Sequence, residues 1–361
     1  MPYSFDSMLF NGREIRVVDI LNKTAKARSP YEVSSFSFIQ GWHSNADDFT
    51  QRTSGSTGKP KNISISRQQM IASAAMTQDA LQLQAGETAL LCLDAGYIAG
   101  KMMIVRAFTT DMKLVMVDPS SNPLKDIEAR ERIDFMALVP AQLLEIIQSN
   151  EKHRLNEIKN IIVGGAALNE SIIDKISNIS ARVFATYGMT ETVSHIALQP
   201  VNGPAASEYF EVLPGITIDT DDRGCLKIDV PFLPQKIETN DIVHVKNPKS
   251  FKWIGRADNV INSGGIKISP ESIEAEIQRL FNALQIQNRF FVSSQPDPVL
   301  GNKLILIIEG NLPTTIERVR ASLKEILPPY QIPKQIVVDA IFTMTENGKV
   351  NRQETTANIE I

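Results

Sequence analysis

Between residues 89 and 186 the chain repeats one texture: a short apolar run, a turn marked by glycine or proline, then apolar residues at helical spacing. The run 89–93 reads as a strand and leads past Gly96 and Gly100 into a helix over 101–109. Strands follow at 113–117 and 133–139, with a helix over 141–149, and the runs 161–163 and 183–186 complete the series. Strands that are apolar at every central position are buried on both faces, the condition of a largely parallel sheet covered by helices. Ligands of such sheets bind at the carboxyl ends of the strands. Gly164-Gly165 and Tyr187-Gly188 fall there.

The flanks are less regular. Residues 17–21 fit either a helical turn or a strand, 33–39 alternate as a strand would, and 44–48 read as a turn. Residues 63–66 alternate like a short strand, and Ser66 suits the N-cap of a helix from Arg67 to about Leu83. From Pro204 the texture changes to short strands with turn residues, including a turn at 221–224. Residues 258–361 carry a predicted helix at 272–281, a strand at 304–309 and a helix at 315–327, enough for a small domain. The expected fold is α/β. A large N-terminal domain, 1–257, has mostly parallel sheets and a β-rich subdomain, and a small α+β C-terminal domain occupies 258–361.

Composition narrows the class. Of 361 residues, 43% are hydrophobic and 22% charged, ordinary for a chain with a full core. A net charge of −4 and a pI near 5.7 argue against a nucleic-acid partner held by a broad basic surface. Cys92 and Cys225 lie far apart in apolar stretches and read as small buried hydrophobes in a reducing compartment. The start lacks a basic region followed by an apolar run, and no apolar run approaches the ~18–20 residues of a bilayer span. The expectation is a cytoplasmic protein without membrane insertion.

The candidate chemistry begins at 53–61. Thr53, Ser54, Gly55, Ser56, Thr57, Gly58 and Lys59, followed by Pro60 and Lys61, combine hydroxyls, positive charge and glycines that let backbone approach a ligand closely. Successive backbone N–H groups in such a turn form an anion-binding concavity. The P-loop pattern is not met, because two residues separate Gly55 from Gly58 and a proline follows Lys59. At Tyr187-Gly188-Met189-Thr190-Glu191-Thr192 an aromatic ring could stack on a heterocycle, a hydroxyl could hold a phosphate or carboxylate oxygen, and a carboxylate could hold Mg2+.

These stretches resemble, in order along the chain, the signatures of the adenylate-forming enzymes, which include acyl- and aryl-CoA ligases and nonribosomal-peptide adenylation domains. The stretch 53–61 resembles their phosphate-binding loop, and 187–192 matches their YGxTE signature at every defined position. Gly164, Gly165 and Ala166 resemble the loop lying along the adenine. Thr239-Asn240-Asp241 is similar to the segment whose aspartate binds the ribose hydroxyls, with Asn240 in place of the usual glycine, a change eased by the tolerance of Asn for positive φ. Residues 255–274 are the longest match: the resemblance gives Arg256 a nucleotide contact, makes Asp258 the hinge between domains, and places Gly264 and Gly265 in a strand turn that passes beside a thiol ligand. Lys349 matches the catalytic lysine, a point charge on a flexible stem that stabilises an anionic transition state. The resemblance implies ATP, Mg2+ on Glu191 and coenzyme A as cosubstrate, with Lys349, Thr190 and Glu191 catalytic. It leaves a homodimer open, and it implies a shortened N-terminal subdomain, since only 52 residues precede the glycine-rich loop.

Arg106 stands in an otherwise apolar predicted helix, and a buried arginine requires an anion. Either an internal carboxylate supplies it, or Arg106 clamps a second carboxylate of the substrate. This segment, together with the short length and 139–143, resembles the o-succinylbenzoate-CoA ligase branch of the family, which serves menaquinone synthesis. Tyr97, Ser194 and His195 are then expected to line the acid pocket with Arg106, and the partners are a small carboxylic acid, ATP and CoA. A carrier-protein-loading adenylation enzyme and a non-catalytic nucleotide-binding protein are the alternatives.

Overall fold

The central parallel strands Phe135–Leu138 and Asn160–Val163 are buried at every position, as strands of a sheet covered on both faces are. The computed structural model describes residues 6–44, 46–52, 61–344 and 350–359. The chain divides into two compact units. One comprises 1–219, 228–237 and 246–251; the other comprises 220–227, 238–245 and 252–361.

In the first unit the strands lie side by side in the order Phe210–Val212, His195–Pro200, Arg182–Gly188, Asn160–Val163, Phe135–Leu138, Thr88–Leu91, Lys113–Met116, Ser7–Phe10 and Arg13–Arg16. Pairing is parallel from Arg182–Gly188 through Ser7–Phe10 and antiparallel at both margins. Thr88–Leu91 has Lys113–Met116 on one side and Phe135–Leu138 on the other, so the winding direction reverses beside it. Such a switch point is where open α/β sheets leave a crevice.

Alternate residues of the strands (Leu90, Val115, Met136, Leu138, Ile161, Val163, Val183) form one apolar cluster with Leu143, Ile146 and Ile147 of the helix Pro140–Gln148 and with Ile172 and Ile176 of Glu170–Ile176. On the other face Ala89, Leu91, Phe135 and Ile162 are buried as well. The helices Arg67–Leu81 and Ile98–Thr110 pack on each other, and the second packs on Thr88–Leu91 and Lys113–Met116. Ser66 caps Arg67–Leu81 as expected: its hydroxyl accepts from the Gln69 N–H, and Gln69 reaches back to the Ser66 N–H. The α/β architecture read from the apolar runs is the architecture found.

One expectation fails. Residues 33–39, read as a strand, lie inside the helix Pro30–His43. Ser29 accepts from the Glu32 N–H and Pro30 sits at the first turn, so the start signal lay just upstream of the alternating stretch. Ser35, Phe36, Ile39 and Trp42 are buried at helical spacing, and the apparent alternation arose from small serines between them. Residues 17–21, left open, are the short helix Val17–Leu21.

In the second unit a sheet of Phe290–Asp297, Gly301–Glu309 and Gln335–Ala340, antiparallel then parallel, packs against two amphipathic helices. Ile273, Ile277 and Phe281 of Pro270–Ala283, and Val319 and Leu323 of Ile316–Ile326, join Leu304, Leu306 and Ile308 in its core. Among the described residues no helix is long and apolar enough to cross a membrane.

Candidate active site

In the first unit the predicted nucleotide residues fall on neighbouring strand ends. Asn160–Val163 and Arg182–Gly188 are parallel neighbours, which sets Gly164-Gly165 beside Thr186 and Tyr187. A Cβ on Gly164 would lie 2.5 Å from Thr186 Oγ1, and Gly165 has φ +85°, so both positions call for glycine. Ala166 is exposed just beyond. Tyr187 is half-buried and set edge-on to Phe210 and Phe251, with ring centroids at 5.9 and 5.1 Å. Two aromatic neighbours fix its ring plane.

Gly188 pairs directly with His195 across the antiparallel ladder. A side chain there would strike the backbone of Ser194 and His195. Between these positions the chain turns through Thr190–Thr192, a single 3₁₀ turn in which Thr192 Oγ1 accepts from the Met189 N–H and donates to the Ser194 carbonyl. Val193, buried and β-branched, is held at φ +69°, ψ −50°. Backbone strain of about 1–3 kcal/mol at such a residue persists only where the surroundings impose it. The ladder then shifts register between His195 and Ala197, the kind of irregularity that re-aims a side chain. Glu191 is exposed and makes no ion pair among the described residues. An exposed carboxylate beside a threonine hydroxyl suits Mg2+, which prefers oxygen ligands and keeps waters and substrate phosphates in its shell.

The re-aimed side chains meet Arg106. It occupies the third turn of Ile98–Thr110, is 2% exposed, and is the largest fully buried side chain described. Its NH2 group donates to Ser194 Oγ at 2.7 Å and approaches His195 Nδ1 at 3.4 Å. NH1 reaches only Met103 Sδ at 3.9 Å, and Nε has no partner. Among the described residues no carboxylate pairs with it, so the internal salt bridge is not found. Burial pushes the Arg106 guanidinium down to about 9. His195, 7% exposed, is held well below its ordinary value by burial and then by the charge of Arg106, which keeps the ring neutral. Its Nε2 lies 3.1 Å from Thr77 Oγ1 in the helix Arg67–Leu81. Burying a cation without a counter-ion is costly.

The second unit holds the other group. Asp241 is 8% exposed in the strand Ile237–Asn247; it accepts from Trp253 Nε1 at 3.3 Å and pairs with Arg256 NH1 at 3.4 Å. Arg256 also grips Asp258 with two bonds of 2.8 and 2.7 Å. Asn240 is not among the residues at positive φ: it extends within its strand and its side-chain oxygen accepts from Arg223. Its tolerance of the left-handed region is therefore unused, a correction to the sequence reading. Gly264 and Gly265, at φ +59° and +80°, join Ile261–Ser263 to Ile266–Ile268 in a two-residue hairpin with both central residues left-handed, the geometry of a type I′ turn.

The structure thus gathers Arg106, Ser194 and His195 into one cluster, sets Gly164, Gly165 and Tyr187 on adjacent strand ends, and links Asp241, Arg256 and Asp258. Tyr97 is apart. It precedes the same helix as Arg106, nine residues or roughly 13 Å along the axis, and is 57% exposed. Thr53, Ser54, Gly55, Ser56, Thr57, Gly58, Lys59 and Lys349 lie outside the described residues. The strands beside the glycine-rich loop, Asp48–Arg52 and Asn62–Ser66, pair antiparallel. Thr77 was missed. A threonine in a helix 118 residues before its partner leaves no local signal.

A family model described as AMP-binding enzyme matches residues 32–219. The 2-succinylbenzoate–CoA ligase of Lactococcus lactis subsp. lactis (strain IL1403) is 26% identical over 351 residues, covering 89% of this chain and 76% of that protein. An acyl-CoA synthetase (AMP-forming)/AMP-acid ligase II-like protein from Dyadobacter fermentans is 41% identical, with a TM-score of 0.62 over 94% of this chain and 97% of the other. The o-succinylbenzoate coenzyme A synthetase of Bacillus subtilis, solved with ATP and magnesium ion, shares the fold at a TM-score of 0.72 and 20% identity, over 85% of this chain and 69% of that one. The matched model spans more than half of the chain and takes in Arg106, the glycine-rich loop and the strand-end motif: this chain belongs to the AMP-binding enzyme family.

Proposed function

We propose that this AMP-forming acid–thiol ligase joins an acid bearing two carboxylates to coenzyme A, with 2-succinylbenzoate as the acid. The carrying observation is Arg106, a buried guanidinium with one hydroxyl, one neutral imidazole nitrogen and, among the described residues, no carboxylate paired with it. Its unmet demand is for an anion, and a carboxylate supplies the charge-assisted, two-pronged partner that a guanidinium fits. The acid carboxylate that is not activated would be that anion, with Ser194 and His195 beside it and Tyr97 at the far end of the helix.

In the first step the activated carboxylate attacks the α-phosphate of ATP, forming the acyl-adenylate and releasing pyrophosphate. Thr53 to Lys59 hold the β- and γ-phosphates, Gly164, Gly165 and Ala166 lie along the adenine, and Tyr187 and Gly188 form its platform. Asp241 takes the ribose hydroxyls, Arg256 contacts the nucleotide, and Glu191 with Thr190 would hold Mg2+. When bound, that ion neutralises phosphate charge. Lys349 stabilises charge on the α-phosphate oxygens. In the second step the CoA thiol attacks the acyl carbonyl and AMP leaves; Gly264 and Gly265 offer a side-chain-free turn for the pantetheine arm, and Asp258 is the hinge between the two steps. The assignments of ribose, adenine, hinge and lysine rest on the family resemblance.

The test is AMP release with ATP, CoA and either 2-succinylbenzoate or 4-oxo-4-phenylbutanoate, which lacks the ring carboxylate. Strong preference for the first, lost in Arg106→Ala, is expected. Equal turnover of the two acids, or loading of a holo carrier protein in place of CoA, would overturn the reading. Lys349→Ala is expected to abolish pyrophosphate exchange.

A further inference from the structure

Arg106 is held by a circuit of hydrogen bonds that no catalytic motif contains. Its NH2 faces His195 Nδ1 at 3.4 Å, His195 Nε2 faces Thr77 Oγ1 at 3.1 Å, and Thr77 Oγ1 lies 3.2 Å from the Ser73 carbonyl one helical turn back. Ser73, Thr77 and His195 are all buried, and Thr77 is 0% exposed.

The direction of the circuit is fixed at both ends. A guanidinium only donates and a carbonyl only accepts. Arg106 must therefore donate to Nδ1, which leaves the single proton of the neutral ring on Nε2. That N–H must donate to Thr77, and the Thr77 hydroxyl spends its one proton on the Ser73 carbonyl. The other tautomer would set two donors face to face at Nδ1. It would also turn the Thr77 hydroxyl toward Nε2 and leave the Ser73 carbonyl without that bond. Only one arrangement satisfies every member.

We propose that Thr77 is a positioning residue for acid binding: by accepting from Nε2–H it fixes the tautomer of His195, and with it the orientation of the Arg106 guanidinium. The inference rests on the reading of Arg106 as the receptor of the free carboxylate. With NH2 committed to His195 and Ser194, the unpartnered Nε–H and the weakly engaged NH1 are the donors left for an incoming carboxylate. Without Thr77 the ring loses the acceptor that holds its proton on Nε2, Nδ1 stops being a dedicated acceptor, and the guanidinium is free to rotate away from that pose. Preorganisation of this kind contributes to affinity by lowering the ordering cost of binding.

The test uses the whole chain and four variants. Thr77→Val keeps the shape and removes the hydroxyl, and Thr77→Ser restores it. Two-bond proton–nitrogen NMR of protein labelled at its four histidines, with His195→Gln to assign the signal, reads the tautomer directly. Nε2–H is expected in the wild type, and a mixture or the Nδ1–H form in Thr77→Val. In the AMP-release assay the KM for 2-succinylbenzoate is expected to rise about tenfold, the loss of one oriented hydrogen bond, while kcat and the KM for ATP stay within about twofold. Thr77→Ser is expected to restore both readouts.

An Nδ1–H tautomer in the wild type would overturn the inference. So would an unchanged KM in Thr77→Val, or a uniform loss of kcat and both KM values that Thr77→Ser does not rescue. Arg106→Ala separates the two claims: if it leaves the KM for 2-succinylbenzoate unchanged, the carboxylate receptor is wrong, and the tautomer measurement still decides the role of Thr77.

Discussion

Replacing Arg106 by methionine should stabilise the ligand-free protein and cripple the enzyme. Methionine keeps the length and packing of the arginine stem and removes the charge. The guanidinium is 2% exposed, has an unpartnered Nε, and finds one close neutral acceptor, Ser194 Oγ at 2.7 Å. An unsatisfied buried donor costs about 1–3 kcal/mol, and exchanging a buried charged group for a packed apolar one commonly gains about 1–4 kcal/mol. Against that stand the charge-assisted bond to Ser194, worth about 1.5–3 kcal/mol, and the longer contact to His195, worth about 1 kcal/mol. The balance favours the variant by about 1–2 kcal/mol, or roughly 2–8 °C in Tm for a unit of this size. Binding moves the other way. A charge-assisted bond to a carboxylate from the donors left free, at about 1.5–3 kcal/mol before desolvation, predicts a KM for 2-succinylbenzoate raised on the order of 10–10²-fold. Differential scanning fluorimetry with and without 2-succinylbenzoate and ATP reads both effects. Wild type should gain Tm with the acid, and Arg106→Met should start higher and gain nothing. A variant that melts several degrees lower without ligand would refute the reasoning, since it would mean that the folded protein already compensates the guanidinium.

The other predictions concern backbone, pH and the second step. Gly188→Ala places a Cβ against the backbone of Ser194 and His195, so the two strands must separate; a loss of about 3 kcal/mol or more, seen in thermal melts, should accompany loss of 2-succinylbenzoate turnover, and a variant as stable as wild type would refute the contact. His195 is neutral when folded because its pKa is depressed, while the unfolded chain takes up a proton near pH 6.5. The unfolded state therefore binds more protons as pH falls below about 6.5, and stability declines in that direction until the folded ring also titrates. Tm measured from pH 7.5 to 5 should fall less in His195→Gln. In the second unit, Gly265→Val forces a β-branched residue to φ +80° at a cost of about 1–2 kcal/mol. Pyrophosphate exchange should survive this change while thioester formation slows, and equal losses in both half-reactions would remove the turn from CoA binding.

Much of this was legible in the chain because the signals are local. The wholly apolar runs at Phe135–Leu138 and Asn160–Val163 can be satisfied only by burial on both faces, which requires a covered parallel sheet. The Ser66 capping box and the paired glycines at 264–265 carry their geometry in neighbouring residues. Even the one misread element, Pro30–His43, had its signal within reach in Ser29-Pro30.

The sequence by itself determined the strand–helix order, the positions of the ligand-facing loops and the presence of a charge where none is cheap. It could not say what meets that charge. The two readings of Arg106, internal salt bridge or receptor for a bound acid, differ only in whether a carboxylate from elsewhere in the chain arrives beside it. Packing between elements about ninety residues apart decides that, and among the described residues it delivered Ser194 and His195 in place of an aspartate or glutamate. The tertiary structure also recruited Thr77, through a helix-to-strand contact across 118 residues. The partner of a buried polar group is set by long-range packing, while its cost is set by its own chemistry; the chain shows the second, and only the fold shows the first.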